Sequence, residues 1–401
     1  MRAIRFHYRP LRYLATRVAS RRLPTAGLGR LGFVRLDDVE PPVLPGPDWV
    51  RVESRLSGIC GSDLDVITAH DSFTLEPFGA YPFTFGHEIV GSVADAGAGV
   101  GRWKAGDRVV VNPMLSCLQR GGSPCGACAR GDYGLCRRVG DGTGSMVGYS
   151  TVTGGGWSRY LVAHESQLHD QGDIPDEVAV LTDPFASAAK GVLLEPPGES
   201  DTVLVLGAGT IGLLAVRALR LTGWTGGIAV SARHPFQAEK ARVAGADTVA
   251  RSERELFRWA VGLPDARLYN PTLAPRFVEG GPSLVYDTVG TASSVRQALS
   301  LTREGGRVVL IGAAGKIDVD WTRVWNRQIR VAGIFAYGRV PWKGERPDIY
   351  DVALELIRAG GLEDLGLLTH VFQLEEYRDA IAVALGKSDH ASIKVAFRPG
   401  H

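Results

Sequence analysis

The fold is decided by the stretch Val203-Leu-Val-Leu-Gly207-Ala-Gly209-Thr-Ile-Gly212. Its apolar residues predict a buried strand, and its glycines follow the G-x-G-x-x-G spacing at the point where a helix begins. The first glycine permits a tight turn, the second lets backbone approach a pyrophosphate, and the third lets the helix pack closely. The stretch therefore predicts a dinucleotide site, with a tight turn that binds nothing as the alternative. The residues assigned to the site are Gly207, Gly209, Thr210, Ile211 and Gly212.

Strand-like and helical segments alternate on both sides of this loop, from about residue 184 onward. Strands are predicted at 228–231, 284–287 and 308–312, with helical stretches such as 237–244 between them. This alternation indicates βαβ units and a doubly wound parallel sheet of the α/β class. Val289 and Gly290 follow the 284–287 strand and are added to the predicted cofactor residues.

The end of the second strand indicates which dinucleotide is bound. An NAD site needs an acidic residue there to bind the ribose 2′-hydroxyl. The segment Ile228-Ala-Val-Ser231-Ala-Arg233-His234-Pro235 has no acid. The Ser231 hydroxyl and the Arg233 guanidinium suit a 2′-phosphate instead, since arginine forms charge-assisted bonds to phosphate. We therefore predict NADP, with NAD as the alternative if Arg233 is only a solvated loop residue.

Length and composition restrict the class of protein. A chain of 401 residues predicts two domains, and 45% hydrophobic with 22% charged residues fits a globular protein. A net charge of +2 is far from the basic excess of a nucleic-acid binder. The longest apolar run, residues 203–216, is too short to span a membrane. We expect a cytoplasmic protein with neither a nucleic-acid nor a membrane partner.

The N-terminus is rich in arginine, with seven in residues 1–22 and no acidic residue before Asp37. Such a composition is found in organellar transit peptides. We prefer the alternative that this segment belongs to the fold, because residues 27–34 continue into it without an apolar block of the kind that precedes a cleavage site.

The chain has only five cysteines, which indicates metal binding or catalysis in a reducing compartment and not a disulfide framework. Four of them lie in a glycine-rich segment with little hydrophobic periodicity, and a segment without a core needs a metal to fold. We predict a structural-zinc lobe at about 113–140, with four unligated cysteines as the alternative. The predicted ligands are Cys117, Cys125, Cys128 and Cys136, although the gap before Cys125 is long.

The fifth cysteine, Cys60, lies in Gly58-Ile-Cys60-Gly-Ser62-Asp63, and His87 lies in Gly86-His87-Glu88. Thiolate and imidazole together suit zinc, and catalytic zinc sites keep three protein ligands and one open position. The candidate for the third ligand is Asp183, in Leu181-Thr-Asp183-Pro184, where a helix N-cap is the alternative role.

The order of these motifs resembles the medium-chain zinc-dependent alcohol and polyol dehydrogenase superfamily, from about residue 48 to the C-terminus. The resemblance implies a GroES-like β-rich catalytic domain, from residues 1–183 and 339–401, and a Rossmann domain from residues 184–338. It implies a catalytic zinc on Cys60, His87 and Asp183. Glu88 is then an exchangeable fourth ligand or a close neighbour of the metal.

The resemblance also implies the reaction, in which zinc polarises an alcohol or carbonyl and hydride moves to or from the nicotinamide. Ser62 takes the place of the family's proton-relay hydroxyl, with a turn serine as the alternative. Relatives carry a relay histidine where this chain has Asp65, so His70 is a candidate substitute. Asp63 is expected to hold His87 through its ring N–H.

We therefore expect a zinc-dependent oxidoreductase that acts on an alcohol, polyol or sugar, or on the matching carbonyl. One alternative is a reductase of a conjugated or imine bond with altered or idle zinc. Another is a non-catalytic nucleotide-sensing protein on the same fold. The intact Cys60, His87 and Asp183 set argues against both. The resemblance further implies a homodimer or homotetramer, with an interface near residues 330–337.

Overall fold

A computed structural model describes residues 1–29 and 32–400 of the chain. The chain divides into two compact units. The β-rich unit contains Met1–Asp183, Tyr337–Arg339 and Leu367–His401, and the Rossmann unit contains Pro184–Ala336 and Val340–Gly366.

Strands and helices are numbered here along the described chain. The strands are β1 (Arg2–Phe6), β2 (Val34–Asp38), β3 (Trp49–Gly58), β4 (Phe83–Thr84), β5 (Glu88–Ala96), β6 (Arg108–Val111), β7 (Tyr160–His164), β8 (Leu168–Asp170), β9 (Val203–Leu206), β10 (Ile228–Ser231), β11 (Thr248–Ala250), β12 (Arg267–Tyr269), β13 (Phe277–Glu279), β14 (Leu284–Asp287), β15 (Arg307–Leu310), β16 (Arg330–Gly333), β17 (Leu368–Phe372) and β18 (Lys394–Phe397). The helices are α1 (Pro10–Ala19), α2 (Gly61–Ile67), α3 (Gly126–Ala129), α4 (Asp176–Ala179), α5 (Thr182–Leu194), α6 (Thr210–Leu221), α7 (Pro235–Ala244), α8 (Glu253–Val261), α9 (Ala292–Leu301), α10 (Thr322–Asn326), α11 (Ile349–Arg358), α12 (Tyr377–Leu385) and α13 (Lys387–His390).

The Rossmann unit is built on a parallel sheet with the strand order β11-β10-β9-β14-β15-β16. From β9 the chain adds β10 and β11 on one side and β14, β15 and β16 on the other, which is the doubly wound arrangement. All four residues of β9 are buried, as expected for a central parallel strand covered on both faces. The predicted α/β fold class is confirmed for this unit.

The Rossmann unit also contains Val340–Gly366, whereas the prediction assigned residues 339–401 to the catalytic domain. Polar contacts explain why this segment packs with the Rossmann unit. Arg217 in α6 pairs with Asp364 at 2.8 Å, and Lys240 in α7 donates to the Leu365 carbonyl at 2.6 Å.

The β-rich unit contains a seven-stranded sheet with the order β17-β18-β3-β5-β6-β8, in which β7 also pairs with β3. All of its pairings are antiparallel except β17 with β18. A second, three-stranded sheet has the order β2-β1-β4. An aromatic-rich core that includes Phe6, Phe85, Trp157 and Phe397 supports the loops between these strands.

The arginine-rich N-terminus is part of the β-rich unit. Strand β1 pairs with β2 and β4, and Ile4 and Phe6 are buried in the core. Helix α1 contributes the buried Tyr13 to the same core, where its ring lies 5.5 Å from that of Phe33. The segment therefore has a structural role in the folded protein. Within residues 1–29 and 32–400, every helix falls short of the length and apolar character that crossing a membrane requires.

Candidate metal centre and cofactor loop

Strand pairing brings Cys60, His87 and Glu88 together in the β-rich unit. Cys60 follows β3 and His87 precedes β5, and these strands are antiparallel with Gly58 opposite Glu88. One ligand atom from each of the three lies within 4.8 Å of those from the other two. Gly58 is required at this crossing, because a Cβ there would collide with the Glu88 carboxylate.

Asp63 anchors the two predicted ligands Cys60 and His87. It is fully buried in α2, and its Oδ2 accepts a hydrogen bond from the Cys60 backbone N–H at 3.0 Å. Its Oδ1 lies 3.4 Å from His87 Nδ1 and accepts a hydrogen bond from the Tyr149 hydroxyl at 2.6 Å. Burial by itself lowers the pKa of His87, but the Asp63 carboxylate outweighs it and raises that pKa well above its usual range.

Glu88 is held in a buried ion pair with Lys394, the first residue of β18. The Lys394 ammonium donates to the two Glu88 carboxylate oxygens at 2.7 and 2.6 Å, and to the Ile59 carbonyl at 3.1 Å. Only 3% of the Lys394 side chain and 1% of the Glu88 side chain are exposed. Burial lowers the pKa of Lys394, but Glu88 more than compensates and the net shift is upward.

Asp183 is buried in the first turn of α5, near these residues but outside the group of three that lies within 4.8 Å. Its Oδ2 accepts a hydrogen bond from the buried Tyr337 hydroxyl at 3.2 Å. Burial raises the pKa of Tyr337 well above its usual range, and Asp183, Cys60 and Glu88 raise it further. Asp183 therefore acts on the same tyrosine as two members of the group of three, Cys60 and Glu88.

The donor set of this centre fits a zinc ion. A thiol, an imidazole and carboxylates are the ligands that zinc takes in catalytic sites. The three carboxylates of Asp63, Glu88 and Asp183 outnumber the positive charges that Lys394 and a protonated His87 supply, and a divalent cation would offset the difference. The assignment of Asp183 as the third ligand, with Glu88 as an exchangeable fourth ligand or a close neighbour, stays a prediction.

The predicted proton-relay residues lie on and after α2. Ser62 and Asp65 are partly buried and His70 is exposed. Burial raises the pKa of Asp65 to about 6. The Lys387 ammonium acts to lower this pKa and the Asp63 carboxylate acts to raise it. Burial and the nearby Arg17 and Arg21 lower the pKa of His70, which makes His70 less suited to hold a proton.

The four cysteines of the lobe form a second candidate metal site, since their sulfurs all lie within 4.8 Å of one another. None of the chain's five cysteines, all of which are in the described residues, forms a disulfide. Hydrogen bonds from the Arg137 and Cys128 backbone N–H groups hold the pKa of Cys125 at about 6, which favours the thiolate that a metal needs.

The long gap before Cys125 folds back on itself, which brings Cys117 into the cluster. Gly121 and Gly122 donate backbone hydrogen bonds to the Leu118 and Cys117 carbonyls, and Gly121 has a φ of +62°. The Cys125 N–H then lies 3.3 Å from the Cys117 sulfur.

The glycine loop in the Rossmann unit has the conformation that dinucleotide binding requires. It joins β9 to α6, and Gly207 has a φ of +97°, which favours glycine. A Cβ on Gly212 would collide with the Gly207 carbonyl, so the helix can start close to the strand only with glycine there. Gly209 is the N-cap of α6 and makes no side-chain capping hydrogen bond to the first turn, where Thr210 and Ile211 lie and where a helix can bind an anion.

The other predicted cofactor residues lie at the ends of neighbouring strands. Asp287 Oδ1 accepts hydrogen bonds from the Val289 and Gly290 backbone N–H groups at 2.9 and 3.0 Å, which fixes the loop after β14. Ser231 ends β10 and is partly buried, and Arg233 is exposed two residues later. Within residues 1–29 and 32–400, the Arg233 guanidinium has no hydrogen-bond acceptor.

Sequence reasoning missed Lys394, Tyr337 and Tyr149. Lys394 did carry a signal, because a lysine in the apolar segment 392–397 is unusual for a buried strand. Tyr149 and Tyr337 lie in segments without periodicity, so their neighbours become known only from the fold.

Two family models match most of the chain. The model for the alcohol dehydrogenase GroES-like domain matches residues 46–176, and that for zinc-binding dehydrogenase matches residues 210–358. They cover the β-rich unit's metal-binding motifs and most of the Rossmann unit.

Curated proteins and solved structures are similar over nearly the whole chain. The starvation-sensing protein RspB of Escherichia coli is 29% identical over 84% of this chain and 89% of its own. The D-altritol 5-dehydrogenase of Agrobacterium fabrum is 29% identical over 92% and 96%. A solved structure from Sinorhizobium meliloti, described as a zinc-binding dehydrogenase bound to NADP, is 26% identical, with a TM-score of 0.71 and coverage of 91% and 96%.

These matches confirm the resemblance and both predicted domain types. The chain belongs to the medium-chain zinc-dependent alcohol and polyol dehydrogenase superfamily, and it is an NAD(P)-dependent oxidoreductase.

Proposed function

We propose that this protein transfers a hydride between NADP and a hydroxyl-bearing carbon of a polyol or sugar, or the matching carbonyl. The observation that carries the proposal is the buried centre of Cys60, His87 and Glu88, with Asp183 beside it. Polyol specificity is supported by the D-altritol 5-dehydrogenase, which is similar over nearly its whole length.

We assign Cys60, His87 and Asp183 as the resident zinc ligands. Glu88 forms an ion pair with Lys394 at 2.6 Å, so we assign it as an exchangeable ligand that binds the metal only when this ion pair breaks. When bound, zinc supplies Lewis-acid polarisation of the substrate oxygen. Ser62 accepts the proton of the substrate hydroxyl, and Asp63 keeps the His87 ring in one orientation.

We assign the four cysteines of the lobe to a structural zinc. Their sulfurs are close enough to share one ion, and the Cys117 to Cys136 sulfur distance is 3.6 Å. The lobe contains only short helical turns, so a metal supplies the cross-links that a hydrophobic core would otherwise provide.

We propose NADP as the preferred dinucleotide, bound at Gly207, Gly209, Thr210, Ile211 and Gly212 and flanked by Val289 and Gly290. Ser231 and Arg233 would bind the 2′-phosphate. The support is the exposed guanidinium of Arg233 and the lack of an acid at the end of β10. An acidic residue there would repel the phosphate and instead bind the ribose hydroxyls of NAD.

We further propose a homodimer or homotetramer, with β16 at the interface. This strand is at the edge of the Rossmann sheet, and an edge strand presents backbone groups that can pair with a second copy. We place the protein in the cytoplasm, since its five cysteines form no disulfide and a reducing compartment keeps thiols free.

The test combines metal analysis with a substrate panel. We expect two zinc ions per chain, and NADPH-linked turnover on polyols or their ketones that exceeds turnover on simple primary alcohols. Cys60→Ser should lose one zinc and the activity but keep the second zinc, while Cys128→Ser should lose the other. Less than one zinc per chain, or full activity of Cys60→Ser, would overturn the proposal.

The panel also decides between the alternatives. Turnover only on conjugated or imine substrates would indicate the reductase, and nucleotide binding without turnover on any substrate would indicate the non-catalytic sensor.

A further inference from the structure

Tyr149 lies in the segment between the cysteine lobe and β7, and its hydroxyl reaches the metal centre. The ring packs 4.9 Å from Phe83 and 5.7 Å from the ring of His87, measured between centroids. The hydroxyl donates a hydrogen bond of 2.6 Å to Asp63 Oδ1. Because Asp63 is fully buried, this oxygen has no water to replace the tyrosine.

Tyr149 is the closest of the contacts that hold Asp63. The Cys60 N–H donates to Oδ2 at 3.0 Å, and His87 Nδ1 lies 3.4 Å from Oδ1. The His87 distance is too long for a strong hydrogen bond. The orientation of Asp63 Oδ1 toward His87 therefore depends on Tyr149, and loss of the hydroxyl leaves a buried carboxylate oxygen with one weak partner.

The direction of the Tyr149 hydrogen bond is fixed. An ionised carboxylate only accepts hydrogen bonds, so the single Tyr149 proton points to Asp63 and the phenol oxygen can only accept from another donor. Burial, the Asp63 carboxylate and the Cys60 thiol raise the pKa of Tyr149 well above its usual range, which keeps this proton on the phenol oxygen.

We propose that Tyr149 is a positioning residue of the metal centre: its hydroxyl holds Asp63 beside His87, the residue assigned as a zinc ligand. The proposal rests on the proposed function only for its effect on turnover, because zinc release is measured without a substrate. The role is specific to the hydroxyl, because phenylalanine can make the same ring contacts with Phe83 and His87.

The test uses Tyr149→Phe, with Tyr13→Phe as the matched control. Tyr13 is also in the core of the β-rich unit, and within the described residues its buried hydroxyl has no hydrogen-bond partner. Two measurements are made on the zinc-loaded full chain: the rates at which a chelator removes the two zinc ions, and kcat and KM for polyol oxidation.

We expect Tyr149→Phe to lose one zinc about 10- to 100-fold faster than the wild type, with release of the other unchanged. We expect kcat to fall by a similar factor with little change in KM.

The outcomes separate this inference from the proposed function. If Tyr149→Phe matches Tyr13→Phe in both zinc release and kcat, the positioning role is wrong. If the wild type turns over no alcohol, the proposed function fails, while faster zinc release from Tyr149→Phe still supports the role of Tyr149 in holding Asp63.

Discussion

The buried pair of Glu88 and Lys394 yields a quantitative prediction for Lys394→Met. Methionine keeps most of the side-chain volume but removes the ammonium and its hydrogen bonds of 2.6 and 2.7 Å to the Glu88 carboxylate. Removing one partner of a buried pair leaves an uncompensated charge and costs about 3–5 kcal/mol. At about 1.4 kcal/mol per factor of ten, this is a population of the open form that is larger by about 10²- to 4 × 10³-fold.

Amide hydrogen exchange measures this population locally. We expect peptides that cover β3 and β18 to exchange faster by that factor in Lys394→Met at a fixed zinc concentration, because these strands carry the pair. Exchange in the Rossmann peptides around β9 should be unchanged, which separates a local effect from loss of the whole fold.

The chain supplies a matched control in Lys343 and Glu355. Their charges are also 2.6 Å apart, but the two side chains are 69% and 48% exposed. Lys343→Met should therefore cost less than about 1 kcal/mol. The double variant Glu88→Gln/Lys394→Met should recover most of the loss, since no charge stays buried. If Lys394→Met costs no more than Lys343→Met, the reasoning about the buried charge is wrong.

Three further predictions concern other parts of the chain. Burial raises the pKa of Asp71 to about 6, and its Oδ1 has no hydrogen-bond partner within the described residues. The folded state should therefore lose stability as pH rises from about 4 to 6. Asp71→Asn should raise the free energy of unfolding at pH 8 by about 1–2 kcal/mol, after solvent screening, but not at pH 4. An equal gain at both pH values would contradict this. Cys128→Ser should make the lobe at 113–140 sensitive to limited proteolysis while the rest of the chain resists, and an uncut lobe would mean that the metal is not its main support. Arg233→Asp should lower the ratio of kcat/KM for NADPH over NADH by about 10- to 100-fold, which corresponds to lost charge-assisted bonds, and an unchanged ratio would refute the NADP assignment.

How much of the site could be predicted depends on how far apart in the chain its members lie. The glycine loop and the cysteine lobe are local, so spacing alone placed their residues in one environment. Cys60 and His87 belong to adjacent antiparallel strands, and their residue types indicated a metal. Asp183 was predicted from its residue type and its place at the domain junction, and the structure puts it beside the group of three rather than within it.

Lys394 could not be predicted as the partner of Glu88, because 306 residues separate them and only the pairing of β18 with β3 brings them together. The domain boundary shows a similar limit. The apolar face of α11 predicts a helix with one buried side, but the sequence pattern does not say which unit covers that side.

The pairing of β18 with β3 has a consequence for how the protein is made. The Rossmann unit is synthesised between these two strands, so the last part of the β-rich sheet closes only after that unit has left the ribosome. Until then, the end of β3 next to Gly58 lacks its final neighbour, and Glu88 has no cation beside it. We therefore expect the β-rich unit, which depends on this long-range pairing, to complete its fold after the Rossmann unit.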